Sequence, residues 1–220
     1  MGLIRALTTK PWLNEPAGIA SLPAGRKLPA PTASLGLYLF LTVVTVLFLL
    51  LSVTYLTRMA FQDWQPLREP WLLWPNSALL LLGSIALAAR RDDPRAAAYG
   101  LLAADFLGCA FLAGQLAAWS GMIALGYFAA GNPANAFFYL LTALHGLHLL
   151  GGLVLLGRVT LGLWRPDADL DRWRRPIGLL ATYWHFLLAV WLVLFALLLA
   201  DNGGKDALAG IVAFCRGLIQ

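Results

Sequence analysis

Four ionisable side chains lie inside long apolar stretches of this sequence, where burying a charge is costly. They are one acid and all three histidines of the chain, namely Asp105, His145, His148 and His185. Ionisable groups in such surroundings are rare, and they usually pair with one another, face a cavity or bind a ligand. These four residues are therefore the first candidates for function.

Three interpretations of the histidines remain open. His145 and His148 are three residues apart, so on a helix they share one face. They could form hydrogen bonds between helices, contact a lipid headgroup or a partner subunit, or ligate haem or a metal. One haem could be held between His185 and a member of the pair, but three histidines cannot supply two bis-histidine haems. The spacing of three without a helical glutamate is a weak metal signal.

Asp105 could act as a proton relay or as a buried acid paired with a neighbouring helix. It lies at a depth similar to that of His185, so the two could meet if their helices are neighbours. Small residues surround it at four-residue steps and allow close helix packing; they are Ala104, Gly108, Ala110, Gly114 and Ala118. Gly146, Gly151 and Gly152 suggest the same close packing further along the chain. The sequence contains no nucleophile beside a base, so no catalytic site is predicted.

The composition indicates that these residues lie in a membrane protein. Of the 220 residues, 60% are hydrophobic and 12% are charged, about half the usual charged share. The mean hydropathy of +0.73 excludes a disordered chain, and two cysteines are too few for a disulfide-stapled module. The net charge of +5 does not indicate nucleic acid, because basic residues in a membrane protein mainly set its orientation.

Five apolar segments are long enough to cross a bilayer, which requires about 20 helical residues. They are residues 34–57, 72–89, 97–119, 136–163 and 177–200. Their apolar runs are continuous rather than alternating, and an open sheet cannot span a membrane. The sequence therefore predicts an all-α fold, a polytopic membrane bundle of five transmembrane helices.

The two ends of the chain differ from this bundle. Residues 1–33 contain five prolines and no apolar run of signal-peptide length, which predicts a loosely ordered tail. Asp201-Asn202-Gly203-Gly204 is expected to end the last span and to leave 201–220 as a short interfacial or docking segment. Twelve of the 16 Lys and Arg residues fall on the side of the N-terminal tail. The positive-inside rule then places the N-terminus in the cytoplasm and the C-terminus outside.

Two motifs in the last two spans carry a family resemblance. Residues 138–148 read FYLLTALHGLH and are followed by two glycines at 151 and 152. Residues 183–186 read YWHF and are followed by VWL at 190–192 and by Phe195. In this order and spacing the motifs resemble those of subunit III of the haem-copper oxidases, with a weaker match at Asn76-Ser77. The similarity covers roughly residues 34–200.

The resemblance implies a five-helix form of this family in a bacterial inner membrane, with a cytoplasmic N-terminus and a periplasmic C-terminus. Such a subunit has no catalytic site and binds no haem or copper, which belong to the partner subunits of a cytochrome c oxidase complex. It implies contacts with the large catalytic subunit I, with subunit II and indirectly with cytochrome c. It also implies a structural phospholipid and a role in supporting proton uptake.

The resemblance further implies an internal polar cluster that orders the last two helices and contacts lipid or a subunit. Its members are His145, His148, Tyr183, Trp184 and His185. Acids usual in the family are absent near Val44, Ala117–Trp119 and Leu188, so Asp105 is a candidate replacement. Alternatives remain. Within the family these are a quinol oxidase or nitric oxide reductase-associated subunit, and outside it a stand-alone b-type haem protein or a small transporter using Asp105.

Overall fold

The computed structural model describes residues 30–66, 70–88, 93–165 and 169–217. Each of the five predicted segments coincides with a helix, and the described ranges contain no strand. The helices are α1 (Ala30–Arg58), α2 (Leu73–Ala88), α3 (Pro94–Ala124), α4 (Pro133–Leu163) and α5 (Leu170–Gly217). The prediction of an all-α membrane bundle is therefore confirmed.

The helices differ in how fully they can cross a bilayer. Four contain an apolar span of sufficient length, at Thr32–Arg58, Arg95–Ala124, Pro133–Leu163 and Asp171–Ala200. The helix α2 is also apolar, but its 16 residues reach only about 24 Å at 1.5 Å per residue. The hydrocarbon core is about 30 Å thick, so α2 is the short member of the bundle.

The starts of α3 and α4 are fixed by capping residues followed by proline. The Asp93 side chain accepts a hydrogen bond from the Ala96 N–H at 2.8 Å, and the Asn132 side chain caps α4 in the same way. Proline in the first helical turn already has the helical φ and lacks an N–H that would be unpaired there. Both helices therefore begin three residues before the predicted spans, which had been placed by apolarity alone.

The helix α5 extends beyond the expected end of the last span. Its apolar span ends at Ala200, and the helix continues through Asp201–Gly204 to Gly217. Glycine, Asn and Asp cost a helix about 1 kcal/mol each or less, so they weaken a helix without necessarily breaking it. At the other end, residues 30–33 of the predicted tail are helical, and residues 1–29 lie outside the described residues, as do residues 218–220.

The helices α2, α3, α4 and α5 pack as a closed ring. In this ring α2 packs against both α3 and α5, α3 packs against α4, and α4 packs against α5. The helix α1 packs outside it, where Phe40 contacts Tyr183 of α5 and Tyr55 contacts Phe137 of α4. Its inward residues recur every three or four positions, as in a coiled-coil contact; they are Leu41, Val44, Phe48, Leu51 and Tyr55. Most other large residues of α1 are exposed.

Candidate functional site

Trp191 of α5 contacts the three other ring helices through Ser77 of α2, Phe111 of α3 and His145 of α4. Asn76 of α2, Gln115 of α3 and His145 of α4 are each 3% exposed or less. The Trp191 indole N–H donates a hydrogen bond to the Ser77 hydroxyl at 2.9 Å and so ties α5 to α2. The Trp191–Ser77 bond fixes the register of α5 against α2, because slippage would leave both groups unpaired. Atoms of Asn76, Gln115 and His145 are buried without a hydrogen-bond partner among the described residues.

His145 is enclosed by aromatic rings. Its ring centroid lies 5.2 Å from Trp191, 5.8 Å from Phe111 of α3 and 6.5 Å from Phe48 of α1. Neither ring nitrogen has a hydrogen-bond partner among the described residues. His145 therefore packs at the junction of four helices and faces neither lipid nor an open cavity.

His148 and Tyr183 join α4 to α5 one turn further along. The Tyr183 hydroxyl donates to the His148 carbonyl at 2.8 Å, and the His148 Nδ1 lies 2.7 Å from the Leu144 carbonyl. Phe48 of α1 contacts the rings of both His145 and His148. The two histidines thus share the helix face that meets α1, as their spacing requires.

Trp184 fills the middle of the ring and explains two of its glycines. A Cβ at Gly108 of α3 would lie 2.7 Å from the Trp184 ring and 2.7 Å from Leu153 of α4. A Cβ at Gly83 of α2 would be 3.4 Å from the same ring. The indole of Trp184 therefore reaches α3 across the ring and the neighbouring α2, and only a residue without a side chain fits at Gly108.

His185 lies on the opposite side of α5, away from these residues. It is exposed, and its Nδ1 hydrogen-bonds the Ala181 carbonyl of its own helix. Side chains of a helix advance by about 100° per residue, so positions 183, 184, 187 and 191 can face inward while 185 faces outward. The structure thus brings His145, His148 and Tyr183 together, buries Trp184 beside Gly108 and Gly83, and places His185 outside. A haem held between His185 and His145 or His148 has no support in this geometry.

Asp105 pairs with α4 and not with His185. The Thr160 hydroxyl lies 3.3 Å from the Asp105 carboxylate and 3.0 Å from the Leu156 carbonyl. Gly157 stands opposite the acid, where a Cβ would be 4.0 Å from it. The acid is half-buried at a helix contact, which is the structural pairing that the sequence allowed as one interpretation.

The other four glycines named in the sequence analysis as helix-packing residues lie in three kinds of environment. A Cβ at Gly114 would overlap the Asn76 side chain, and one at Gly152 would lie 2.8 Å from the Tyr183 ring, so both mark close helix contacts. A Cβ at Gly146 would be 3.5 Å from Leu112, which is ordinary contact. Gly151 has no atom within 4 Å of its Cβ position and faces open space.

That open space is a cleft between α1, α4 and α5, and sequence reasoning did not find it. Its volume is 480 Å³, and its lining is almost wholly apolar. Leu37 and Phe40 of α1 form one wall, Tyr183 of α5 belongs to the other, and Arg158 of α4 provides the one cation in the lining. In the orientation count Arg158 belongs to the loop after the fourth segment, although it lies within the predicted span 136–163. That position was the available signal.

The arrangement defines a class of protein before any comparison is made. Among residues 30–66, 70–88, 93–165 and 169–217, no three His, Cys, Asp or Glu side chains lie close enough together to hold a metal ion. Polar contacts join α5 to α2 through Trp191 and Ser77, α5 to α4 through Tyr183 and His148, and α3 to α4 through Asp105 and Thr160. The chain is a polytopic helical membrane protein with polar contacts between its helices.

Comparison with known proteins identifies the family. No family model matches the chain. A cytochrome c oxidase subunit 3 from Thermostichus vulcanus is 31% identical over 173 residues, which cover 74% of this chain and 85% of the relative. One from Synechocystis sp. is 36% identical over 180 residues, 74% of this chain and 72% of the relative. A cytochrome bo(3) ubiquinol oxidase subunit 3 from Pseudomonas aeruginosa is 26% identical over 170 residues, covering 73% and 80%.

The chain belongs to the subunit III family of the haem-copper oxidases. This confirms the family that the FYLLTALHGLH and YWHF motifs indicated. It also makes the chain part of an oxidase complex.

Proposed function

We propose that this chain is the accessory subunit III of a bacterial cytochrome c oxidase, with its N-terminus in the cytoplasm and its C-terminus in the periplasm. It stabilises the large catalytic subunit, holds a phospholipid and supports proton uptake. The relatives above 30% identity that cover most of the chain are named as cytochrome c oxidase subunits, which favours cytochrome c over quinol as the donor. The cleft beside Gly151 is the observation that carries the lipid-binding role.

The cleft has the two features that a phospholipid requires. Its apolar walls suit an acyl chain, and the Arg158 guanidinium suits a phosphate, with which arginine forms bidentate hydrogen bonds. Pro176 and Leu179 from the start of α5 also line it, so the cleft lies at the end of the bundle where α5 begins with Arg172, Arg174 and Arg175. Basic pockets between transmembrane helices are typical sites for anionic headgroups.

The membership of an oxidase complex is tested by gentle purification. A tagged chain solubilised in mild detergent is expected to bring with it a large subunit that carries haem, detected by its Soret absorption. Oxygen consumption driven by reduced cytochrome c should be recovered in the same fractions. A chain that purifies alone, with its own stoichiometric haem, would contradict the proposal and support the b-type haem alternative.

Filling the cleft should displace the lipid. Gly151→Leu places a branched side chain into the open space and is expected to lower the bound phospholipid, measured as phosphorus per mole of purified complex, by one molecule. Gly121→Leu is the matched control, because Gly121 also has no atom within 4 Å of its Cβ position but lies on α3 outside the cleft. Equal lipid content in the two variants would show that the cleft holds no lipid.

A further inference from the structure

We propose that the outer face of α5 around His185 is the docking surface for a transmembrane helix of the catalytic subunit, and that this helix presents a hydrogen-bond donor to His185. The inference rests on the proposed function, since it names the surface by which this chain joins the oxidase. We call this surface the α5 outer row. Its members are Gly178, Thr182, His185, Ala189, Leu192 and Ala196, which recur at steps of three or four and are all exposed; Leu192 is the one large apolar residue among them.

The position of His185 in the bilayer is the first argument. It is ten residues beyond Arg175, or about 15 Å along the helix, which is half of a hydrocarbon core about 30 Å thick. It is also the midpoint of the apolar span Asp171–Ala200. An imidazole at this depth facing lipid would be costly, because nothing in hydrocarbon can bond it, and such groups almost always face protein.

The bonding of the imidazole specifies what the partner must offer. The Ala181 carbonyl can only accept, so Nδ1 of His185 carries the proton and donates to it. In the neutral ring the other nitrogen, Nε2, is then an acceptor, and it has no hydrogen bond to any described residue. The complementary group is an N–H or O–H donor, such as a Ser, Thr, Tyr, Trp or Asn side chain on a facing helix.

The exposed threonines of the spans do not require a hydrogen-bond partner from another helix. On α1 the exposed Thr42 and Thr54 donate their hydroxyls to carbonyls of their own helix at 2.9 and 2.8 Å. Thr182, in the α5 outer row itself, does the same to the Gly178 carbonyl at 3.0 Å. The large exposed side chains of α1 are otherwise apolar and suit lipid chains. Arg158 of α4 is exposed as well, but it lines the cleft beside Gly151. His185 is the exposed side chain with an unbonded nitrogen on the outer face of α5.

The shape of the α5 outer row fits a helix rather than an isolated headgroup. Gly178, Ala189 and Ala196 carry little or no side chain beyond the backbone, which lets a second helix approach closely. In membranes, close backbone approach and interhelical hydrogen bonds drive helix association, because lipid already satisfies apolar surface. The α5 outer row allows close backbone approach and the His185 imidazole offers a hydrogen bond, so one face of α5 provides both contributions to helix association.

The test compares substitutions on this face with one on another. His185→Leu removes the acceptor without disturbing the ring interior, and we expect it to lower the haem recovered per mole of tagged chain about fivefold. His185→Gln keeps an acceptor oxygen and should retain most of the haem. Ala189→Trp should block the close approach and lower recovery at least as much. Ala143→Trp is the matched control, because Ala143 is an exposed alanine on α4, and it should leave recovery unchanged.

The possible outcomes separate this inference from the proposed function. If Ala143→Trp loses the haem subunit while His185→Leu and Ala189→Trp keep it, the docking surface lies elsewhere although the chain is still an oxidase subunit. If all four variants recover haem equally, or if Ala189→Trp only separates a dimer of this chain, a helix of the catalytic subunit does not cover the row. If the unaltered chain recovers no haem-bearing partner, the proposed function itself fails.

Discussion

Replacing Gly108 with valine is expected to lower the free energy of unfolding of the bundle by about 2 kcal/mol. The added Cβ would lie 2.7 Å from both Trp184 and Leu153, and overpacking of a filled helix contact typically costs about 1–3 kcal/mol. Neither neighbour can move away easily, because the Trp184 indole is 2% exposed and Leu153 is also buried. The measurement is the unfolding transition in mixed micelles, followed by circular dichroism.

The same substitution at Gly121 provides the control for Gly108→Val. Gly121 lies on the same helix, but nothing is within 4 Å of its Cβ position. Valine there should be neutral or slightly stabilising, because glycine is the poorer helix former by a few tenths of a kcal/mol. Equal effects of the two valines would show that Trp184 does not occupy the space beside Gly108.

Replacing Trp184 with alanine should have the larger effect, a loss of about 3–5 kcal/mol. It would remove a large buried side chain from the middle of the ring and leave a cavity that the helices cannot fully close. The thermal midpoint of the purified chain in mild detergent should fall, together with the fraction that inserts and folds.

Two further variants make the Trp184→Ala result specific. Trp71→Ala removes the same side chain from a position that is 76% exposed, and we expect an effect within about 0.5 kcal/mol. Gly108→Val combined with Trp184→Leu should be less destabilised than the two single changes together predict, since the smaller residue leaves room for the valine. Strict additivity would argue against direct contact between the two positions.

Much of the architecture could be predicted from the sequence, because the bilayer imposes the length and the apolarity of each helix. The five apolar segments coincide with the five helices, and the differences lie at their ends. The starts of α3 and α4 depend on Asp93 and Asn132 caps, which hydropathy does not register. The continuation of α5 beyond Asp201 shows that a short polar and glycine-rich sequence does not by itself end a helix.

The site was less predictable, because it depends on which face of each helix meets which neighbour. Spacing correctly placed His145 and His148 on one face, but the motif around Trp184 did not show that His185 points the other way. Within a helix that is apolar on every side, hydropathy gives no inner or outer face. The cleft beside Gly151 was missed for the same reason, since it is formed by the mutual placement of three helices.

The closure of the ring between α2 and α5 has a consequence for biogenesis. The helix α5 is the last of the five to leave the ribosome, yet it supplies the indole that occupies the interior between α2 and α3. Until it is inserted, Gly83 and Gly108 lack the indole that fills the space beside them. Closure of the ring therefore waits for α5, and a nascent chain stalled before residue 184 would hold α2, α3 and α4 in an open arrangement.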